Sequence, residues 1–257
     1  MHLEPIGTFH CEAQYPYDAA RQPAMAEPTG GHIVLEKGHN YEQALQDIER
    51  FSHIWLLYVF HHNPHWKPMV RPPRASSKVG VFASCAPYRP NPLGLSCVEL
   101  IAVQGLILTV GPHDLLDGTP ILDIKPYLPY ADSVPEATCG WVEEVAEDAW
   151  EVCFALEAER QLAWLERAGV QAIRAFLRQQ LSELPFDQQR KRIRPLAGAQ
   201  WEIAYRTWRI EYGVDEAARK VVVQQVRSAY TEEDLLSVED RYQDKAAHRA
   251  FRNAFRT

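Results

Sequence analysis

Four short stretches gather the residue types that bind or transfer chemical groups: ARQP (Ala20 to Pro23), FHHNPHWKP (Phe60 to Pro68), YRPNPLGLS (Tyr88 to Ser96) and LLDGTPILDIKPYLPYAD (Leu115 to Asp132). All four are dense in Pro, Gly, Asn or Asp, which set turns beside strand ends, where a rigid scaffold presents functional loops. In RPNPLG the prolines around Asn91 stiffen the backbone and Gly94 permits a positive φ. The loop amides and the Arg89 guanidinium could then hold a carboxylate or phosphate; an ordinary tight connection between strands is the competing reading. Asp117-Gly118 is likewise a common turn pair, functional or simply the tip of a hairpin. Asp123 and Lys125 fall on the same side of a strand, at a spacing that lets them pair.

Histidines 53, 61, 62 and 65 invite a metal reading. Adjacent histidines on a strand face opposite ways, and no HxH or HExxH pattern completes a ligand set, so no metal site is expected. Cys85 has basic neighbours that would favour a thiolate. Nothing fixes a histidine beside it, and a buried structural thiol is the expectation for a cysteine at a strand end. The chain lacks GxSxG, a P-loop and a GxGxxG after a strand, so the usual nucleotide and cofactor cradles are missing.

The charges are segregated. The chain carries a formal net charge of −7, yet Phe51 to Val98 contains no Asp or Glu while holding Lys67, Arg71, Arg74, Lys78 and Arg89. Two further basic clusters follow, RKRIR (Arg190 to Arg194) and the tail arginines. An acidic body excludes a protein whose whole surface grips a polyanion, but separate basic sites suit a structured RNA, whose phosphates need several spaced contacts. Five cysteines without a CxxC pair read as free thiols in a reducing compartment. No apolar run reaches the roughly 20 residues that span a bilayer, and the start lacks signal-peptide pattern, so a cytoplasmic protein without a membrane association is expected.

The elements that must position these residues follow from periodicity. HIVLE, HIWLLYVF, KVGVFAS, SCVELIAV, GLILTV and PILDIK each read as a strand, and strands with little helix between them imply a closed antiparallel sheet. NYEQALQDIERF, with Ala44, Leu45 and Ile48 at helical spacing, reads as a helical insert capping one end. From Phe154 the apolar spacing turns helical through Leu162, Leu165, Val170, Ile173, Leu177 and Leu181, with Gly169 between two helices. WEIAYRTWRIEY and KVVVQQVRSAY read as two strands joined by GVDEAA, the phase change between Tyr205 and Trp208 suggesting a bulge in the first. The expected architecture is a mainly β domain over residues 1–140, a single-sheet antiparallel barrel, followed by a smaller α+β domain over residues 141–257.

With FSHIWLLYVFHH, WKPMVRPPR, KVGVFAS, YRPNPLGLS and DLLDGTPILDIKPYLPYAD assembled, the chain resembles the TrmO family (TsaA-like or VirR-like), the tRNA (adenine-37-N6)-methyltransferases. The resemblance implies an S-adenosylmethionine-binding barrel without a Rossmann fold, and a homodimer with the cofactor near the subunit contact. The implied substrate is N6-threonylcarbamoyladenosine beside the tRNA anticodon, methylated at N6. By position the family's cofactor residues fall on Arg21 and Gln22, on His61 and His62, and on Arg89, Asn91, Pro92, Leu93 and Gly94. The remainder fall on Asp117, Gly118, Thr119 and Pro120, with Asp123 and Lys125 behind them. Asp117 or Asp123 is the candidate group that orients or deprotonates N6, and Arg89 the candidate partner of the threonyl carboxylate. Lys67, Arg71, Arg74 and Lys78 in the barrel domain, and Arg190, Lys191 and Arg192 in the second, are the candidate tRNA contacts. Two positions depart from the family: Cys85 stands where many members have an arginine, and RIRP (Arg192 to Pro195) where many have a DPRP-like motif. These departures keep open an alternative, a non-catalytic module on the same barrel that senses S-adenosylmethionine or binds RNA.

Overall fold

The computed structural model describes residues 2–13, 15–16, 23, 30–72, 75, 77–143, 150–170, 172–188 and 191–255. The expected sites Arg21, Gln22, Arg74 and Arg190 lie outside the described residues. The chain folds as two compact units, Met1–Val145 and Ala146–Thr257.

The first unit is a closed six-stranded barrel. Its strands are β1 (Gly7–His10), β2 (Gly31–Leu35), β3 (His53–Val59), β6 (Leu93–Gln104), β7 (Ile107–Val110) and β8 (Thr119–Pro126), ordered β1-β2-β7-β6-β3-β8 with β8 closing on β1. Every pairing in it is antiparallel. Alternation selects the inside: Phe9, Ile33, Ile54, Leu56, Leu108 and Ile121 are fully buried in one core. Closure leaves no unpaired sheet edge. Between β3 and β6 the chain adds a two-strand ribbon, β4 (Met69–Val70) with β5 (Val79–Gly80). A short helix α1 (Tyr41–Ala44) follows β2, and α2 (Pro129–Asp132) follows β8.

Two expectations for this unit need correction, and one strand was not expected. KVGVFAS is a strand only at Val79–Gly80; Val81–Ala83 turn into a 3-10 helix. The insert after β2 is not one helix: α1 ends at Ala44, and after a turn Asp47, at φ 66°, starts a separate 3-10 turn, Ile48–Arg50; Leu45 is buried while Ala44 is exposed. The first strand, GTFH, is too short to declare itself by pattern. Among the described residues no helix is long and apolar enough to cross a membrane.

The second unit is α+β. Its sheet runs β10 (Ile193–Pro195), β11 (Gln200–Tyr205), β12 (Trp208–Asp215), β13 (Lys220–Ser228) and β9 (Glu151–Phe154), antiparallel except for the β13–β9 pair. Helices α3 (Leu156–Arg167), α4 (Ile173–Leu181) and α6 (Lys245–Ala254) contribute to one core with the sheet, and a short α5 (Glu232–Leu236) precedes α6. Gly169, at φ 92°, separates α3 from α4 as its position suggests. The phase change between Tyr205 and Trp208 is not a bulge but a reversal: the two residues pair across a two-residue turn, with Arg206 at φ 50°. WEIAYRTWRIEY is therefore two strands, and the bulge lies further on, between Glu211 and Tyr212. Helix α6 is fastened to that turn. Thr207 donates to Asp244 at 2.6 Å and lies 2.9 Å from Nε2 of His248, whose ring stacks on Trp208 at 3.6 Å.

Candidate functional site

Three of the four sequence stretches converge at one rim of the barrel. Strand β3 ends at Val59, and the next residue, Phe60, donates its amide to the carbonyl of Pro92 at 2.7 Å. That bond ties the 89–94 loop to the base of the histidine pair. His61 follows immediately; its Nδ1 lies 3.5 Å from Oγ1 of Thr119, the first residue of β8. The rings of His61 and His62 are 4.0 Å apart at 41°. Burial, then the neighbouring His62, pushes the His61 imidazole below its ordinary pKa, so the ring stays neutral at physiological pH.

The 115–119 turn forms the opposite wall. Its backbone is fixed from β1 and the segment just after it: Gly118 N–H donates to Phe9 at 2.9 Å, and Asp117 N–H to Ala13 at 2.8 Å. Oδ1 of Asp117 accepts the Cys11 amide at 3.2 Å and lies 3.3 Å from Nδ1 of His10. Oδ2 has no partner among the described residues and is left as an acceptor. Gly118 takes φ +76°, where an L side chain is strained, and a Cβ there would stand 4.0 Å from Nε2 of His61. Thr119 is nearly buried and donates its hydroxyl to Leu116 at 2.8 Å. The turn is thus a frame fixed by its backbone, with one carboxylate oxygen left open.

Arg89 is held by its own loop. Its Nη1 donates to the carbonyls of Ser84 at 2.8 Å and Val81 at 3.2 Å, which bolts the 3-10 turn to the loop. The other guanidinium donors have no hydrogen-bond partner among the described residues. Gly94 is required where it sits, because a Cβ there would run into the Tyr58 ring. Cys85 is exposed, contrary to the expected buried thiol, because the 3-10 turn replaces the strand that would have covered it.

Beneath the loop runs a buried polar chain that the sequence does not announce. Ser96 donates to Oδ1 of Asp114 at 2.6 Å, and the Tyr58 hydroxyl lies 3.2 Å from the same Ser96 oxygen. Burial pushes the Asp114 carboxyl up to about 6, and burial followed by the Asp114 charge raises Tyr58. The only hint in the sequence is that Ser96 is a polar residue at an inward position of an alternating strand.

Not every candidate joins the rim. Asp123 lies mid-strand opposite Leu57, and its Oδ1 accepts its neighbour's amide, Ile124 N–H, at 3.0 Å. Lys125 lies opposite Trp55, and no ion pair links it to Asp123 among the described residues. Pro120 pairs with Thr8 on β1, beside the turn. Among the basic candidates, Lys67 is exposed with its ammonium 4.2 Å from the centroid of the Tyr88 ring. Arg71 and Lys78 flank the paired residues Val70 and Val79 of the small ribbon. Lys191 is otherwise engaged: its ammonium donates to the carbonyls of Gln180, Glu183 and Leu184 at the C-terminal end of α4. Arg192 is exposed. Among the described residues no three His, Cys, Asp or Glu side chains gather as metal ligands.

Comparison with known proteins adds the family. The tRNA-methyltransferase O N-terminal domain family matches residues 8–133. The tRNA (adenine(37)-N6)-methyltransferase of Escherichia coli is 36% identical over 220 residues, which span 82% of this chain and 91% of that protein. A probable S-adenosyl-L-methionine-binding protein of Pyrococcus abyssi is 42% identical over 140 residues, 54% of this chain and 75% of that protein. Among solved structures, the crystal structure of TrmO from Pseudomonas aeruginosa is similar at a TM-score of 0.62 and 28% identity, covering 89% of this chain and 98% of that one.

Proposed function

The chain belongs to the tRNA-methyltransferase O family, and on that premise we propose that it methylates N6 of N6-threonylcarbamoyladenosine at position 37 of tRNA, using S-adenosylmethionine at the barrel rim. The observation that carries the siting is the convergence of His61, the Asp117–Thr119 turn and the Pro92 loop at the end of β3. The side chains there suit the cofactor's chemistry. Two imidazole faces suit the cofactor's aromatic base, and the open carboxylate oxygen and uncommitted guanidinium donors beside them are left for the acceptor. His61, His62, Asn91, Pro92, Leu93, Gly94, Gly118, Thr119 and Pro120 are the residues that would hold it.

S-adenosylmethionine, when bound, supplies a methyl group on a positively charged sulfur. The chain's own work is to position the acceptor and manage its proton, because N6 of a carbamoylated adenine is a poor nucleophile. Asp117 is the group for that proton: its Oδ1 is pinned by Cys11 and His10 while Oδ2 is left to accept. Arg89, held rigid by the Val81 and Ser84 carbonyls, would take the threonyl carboxylate through a charge-assisted contact. Asp123 is demoted by its place in mid-strand.

Single-turnover transfer from labelled S-adenosylmethionine onto threonylcarbamoylated tRNA tests the assignment. Asp117→Asn should slow the step by about 10²–10⁴-fold with cofactor affinity unchanged, and Asp123→Asn should run near the wild-type rate. A full rate in Asp117→Asn removes the proton-accepting role; lost cofactor affinity would make Asp117 a cofactor ligand instead.

We further infer a homodimer, resting on the outward face of β3 and β6, where Leu95, 61% exposed, pairs with Leu57, and Ile101, 58% exposed, lies further along β6 beyond Cys97 and Glu99. A tRNA substrate makes the cytoplasm the compartment in which this chemistry is needed.

A further inference from the structure

The second unit has an arginine-covered sheet face that only the strand register reveals. One side of the sheet is apolar, with Ile193, Ile203, Tyr205, Trp208, Ile210, Tyr212 and Val226 packed into the helical core. The alternate residues point the other way and align in two cross-strand rows. Arg194, Glu202, Glu211 and Gln225 are successive partners across β10, β11, β12 and β13. One step along lie Ala204, Arg209 and Arg227, with Arg192 beside them through the Ala204 amide, which donates to its carbonyl at 2.9 Å.

The carboxylates in these rows organise the guanidiniums without cancelling them. Glu202, only 2% exposed, receives Arg194 at 2.7 Å and Arg227 at 2.8 Å, with Arg209 at 3.9 Å. Arg227 also reaches Glu211 at 2.6 Å, and Gln225 donates to the other oxygen of Glu211 at 2.6 Å. Two carboxylates thus face four guanidiniums, Arg192, Arg194, Arg209 and Arg227, on a chain whose total charge is −7. Arg192, Arg194 and Arg227 lie close enough to pull Arg209 below its ordinary pKa, after the effect of burial. The side chain of Arg192 forms no hydrogen bond or ion pair with a described residue, and the side chain of Arg194 is 65% exposed. Arginines already fixed by buried carboxylates lose little further freedom when they meet a ligand, and each keeps donors in a planar fork that fits phosphate.

We propose that this face, Arg192, Arg194, Arg209 and Arg227 on β10, β12 and β13 and the residue preceding β10, is a contact surface for the phosphate backbone of the tRNA substrate. Strands about 4.8 Å apart spread the charges over several strand widths, which suits a run of phosphates better than one small anion. The proposal rests on the tRNA reading above and replaces the RKRIR segment with a surface drawn from three separate parts of the chain.

Binding of the full chain to threonylcarbamoylated tRNA over a salt series is the test. Arg192→Gln/Arg194→Gln should lower affinity by about tenfold near 0.1 M salt and flatten the slope of log K against log salt by about one to two, with S-adenosylmethionine binding unchanged. The lysine pair Arg192→Lys/Arg194→Lys should recover most of the slope. Arg192→Gln alone, which removes no contact of the fold, should still flatten it by about one. Wild-type affinity and slope in these variants, or no tRNA binding by the wild type, overturns the surface; so does normal tRNA binding with lost self-association, which would give the face to a second copy. A wild type that binds through these arginines but transfers no methyl group sinks the methyltransferase reading and leaves the surface standing. Methylation with an unchanged slope does the reverse.

Discussion

At Asp114 a carboxyl group pushed up to about 6 from an ordinary 3.8 sits beneath the 89–94 loop, hydrogen-bonded to Ser96 and through it to Tyr58. Burial is the cause, so the folded state holds the proton more tightly than the unfolded chain does. The contribution is fully present below about pH 3.8 and is lost as pH rises through about 6. The shift corresponds to at most about 3 kcal/mol. Asp114→Asn, which cannot ionise, should therefore lack this decline. The difference in unfolding free energy between variant and wild type should grow in the variant's favour between pH 4 and 6, as read by urea denaturation. A difference that does not change with pH would place the ionisation elsewhere. The candidate residues at the rim were legible where chemistry and turn formation use the same types: the histidine pair and Asp117-Gly118 announce themselves locally. The Tyr58–Ser96–Asp114 chain does not, because its members lie 38 and 18 residues apart and each passes for ordinary strand or loop sequence.

Elements were legible in proportion to their length and alternation. Strands β2, β3 and β7 appear where period two is clean, whereas GTFH is too short, and KVGVFAS has strand composition but bends after Gly80. Two misreadings share one physical cause. A non-glycine residue at positive φ, Asp47 in the insert and Arg206 in the hairpin, reverses or breaks the chain without the glycine that usually marks such a point. The outward rows of β3 and β6 show the other side of alternation, since Leu95 and Ile101 stand where polar residues would suit a solvated barrel face. Leu95→Lys/Ile101→Lys leaves the inward core untouched, so the variant should keep its fold and sediment as a monomer while the wild type sediments as a dimer. A wild type that is monomeric, or a variant that stays dimeric, would remove this face as the subunit contact.

Across the whole molecule, charge is the property that the sequence locates well and resolves poorly. The acid-free window ends on the barrel in the histidine pair, the Arg89 loop and the small ribbon bearing Arg71 and Lys78. In the second unit RKRIR looks like one cluster, yet Lys191 turns onto the end of α4 while Arg192 and Arg194 join Arg209 and Arg227 across the sheet. Such a surface is fixed by register between distant strands, so no linear motif displays it. The central claim is that the chain is an enzyme that brings a modified anticodon-loop adenosine to the barrel rim. The most direct measurement is nucleoside-resolved mass spectrometry of two tRNA preparations, with and without the threonylcarbamoyl group, after incubation with the full chain and methyl-labelled S-adenosylmethionine. Label confined to N6 of threonylcarbamoyladenosine at position 37 is the predicted result; equal labelling of tRNA lacking the group, or label at another nucleoside, would contradict it.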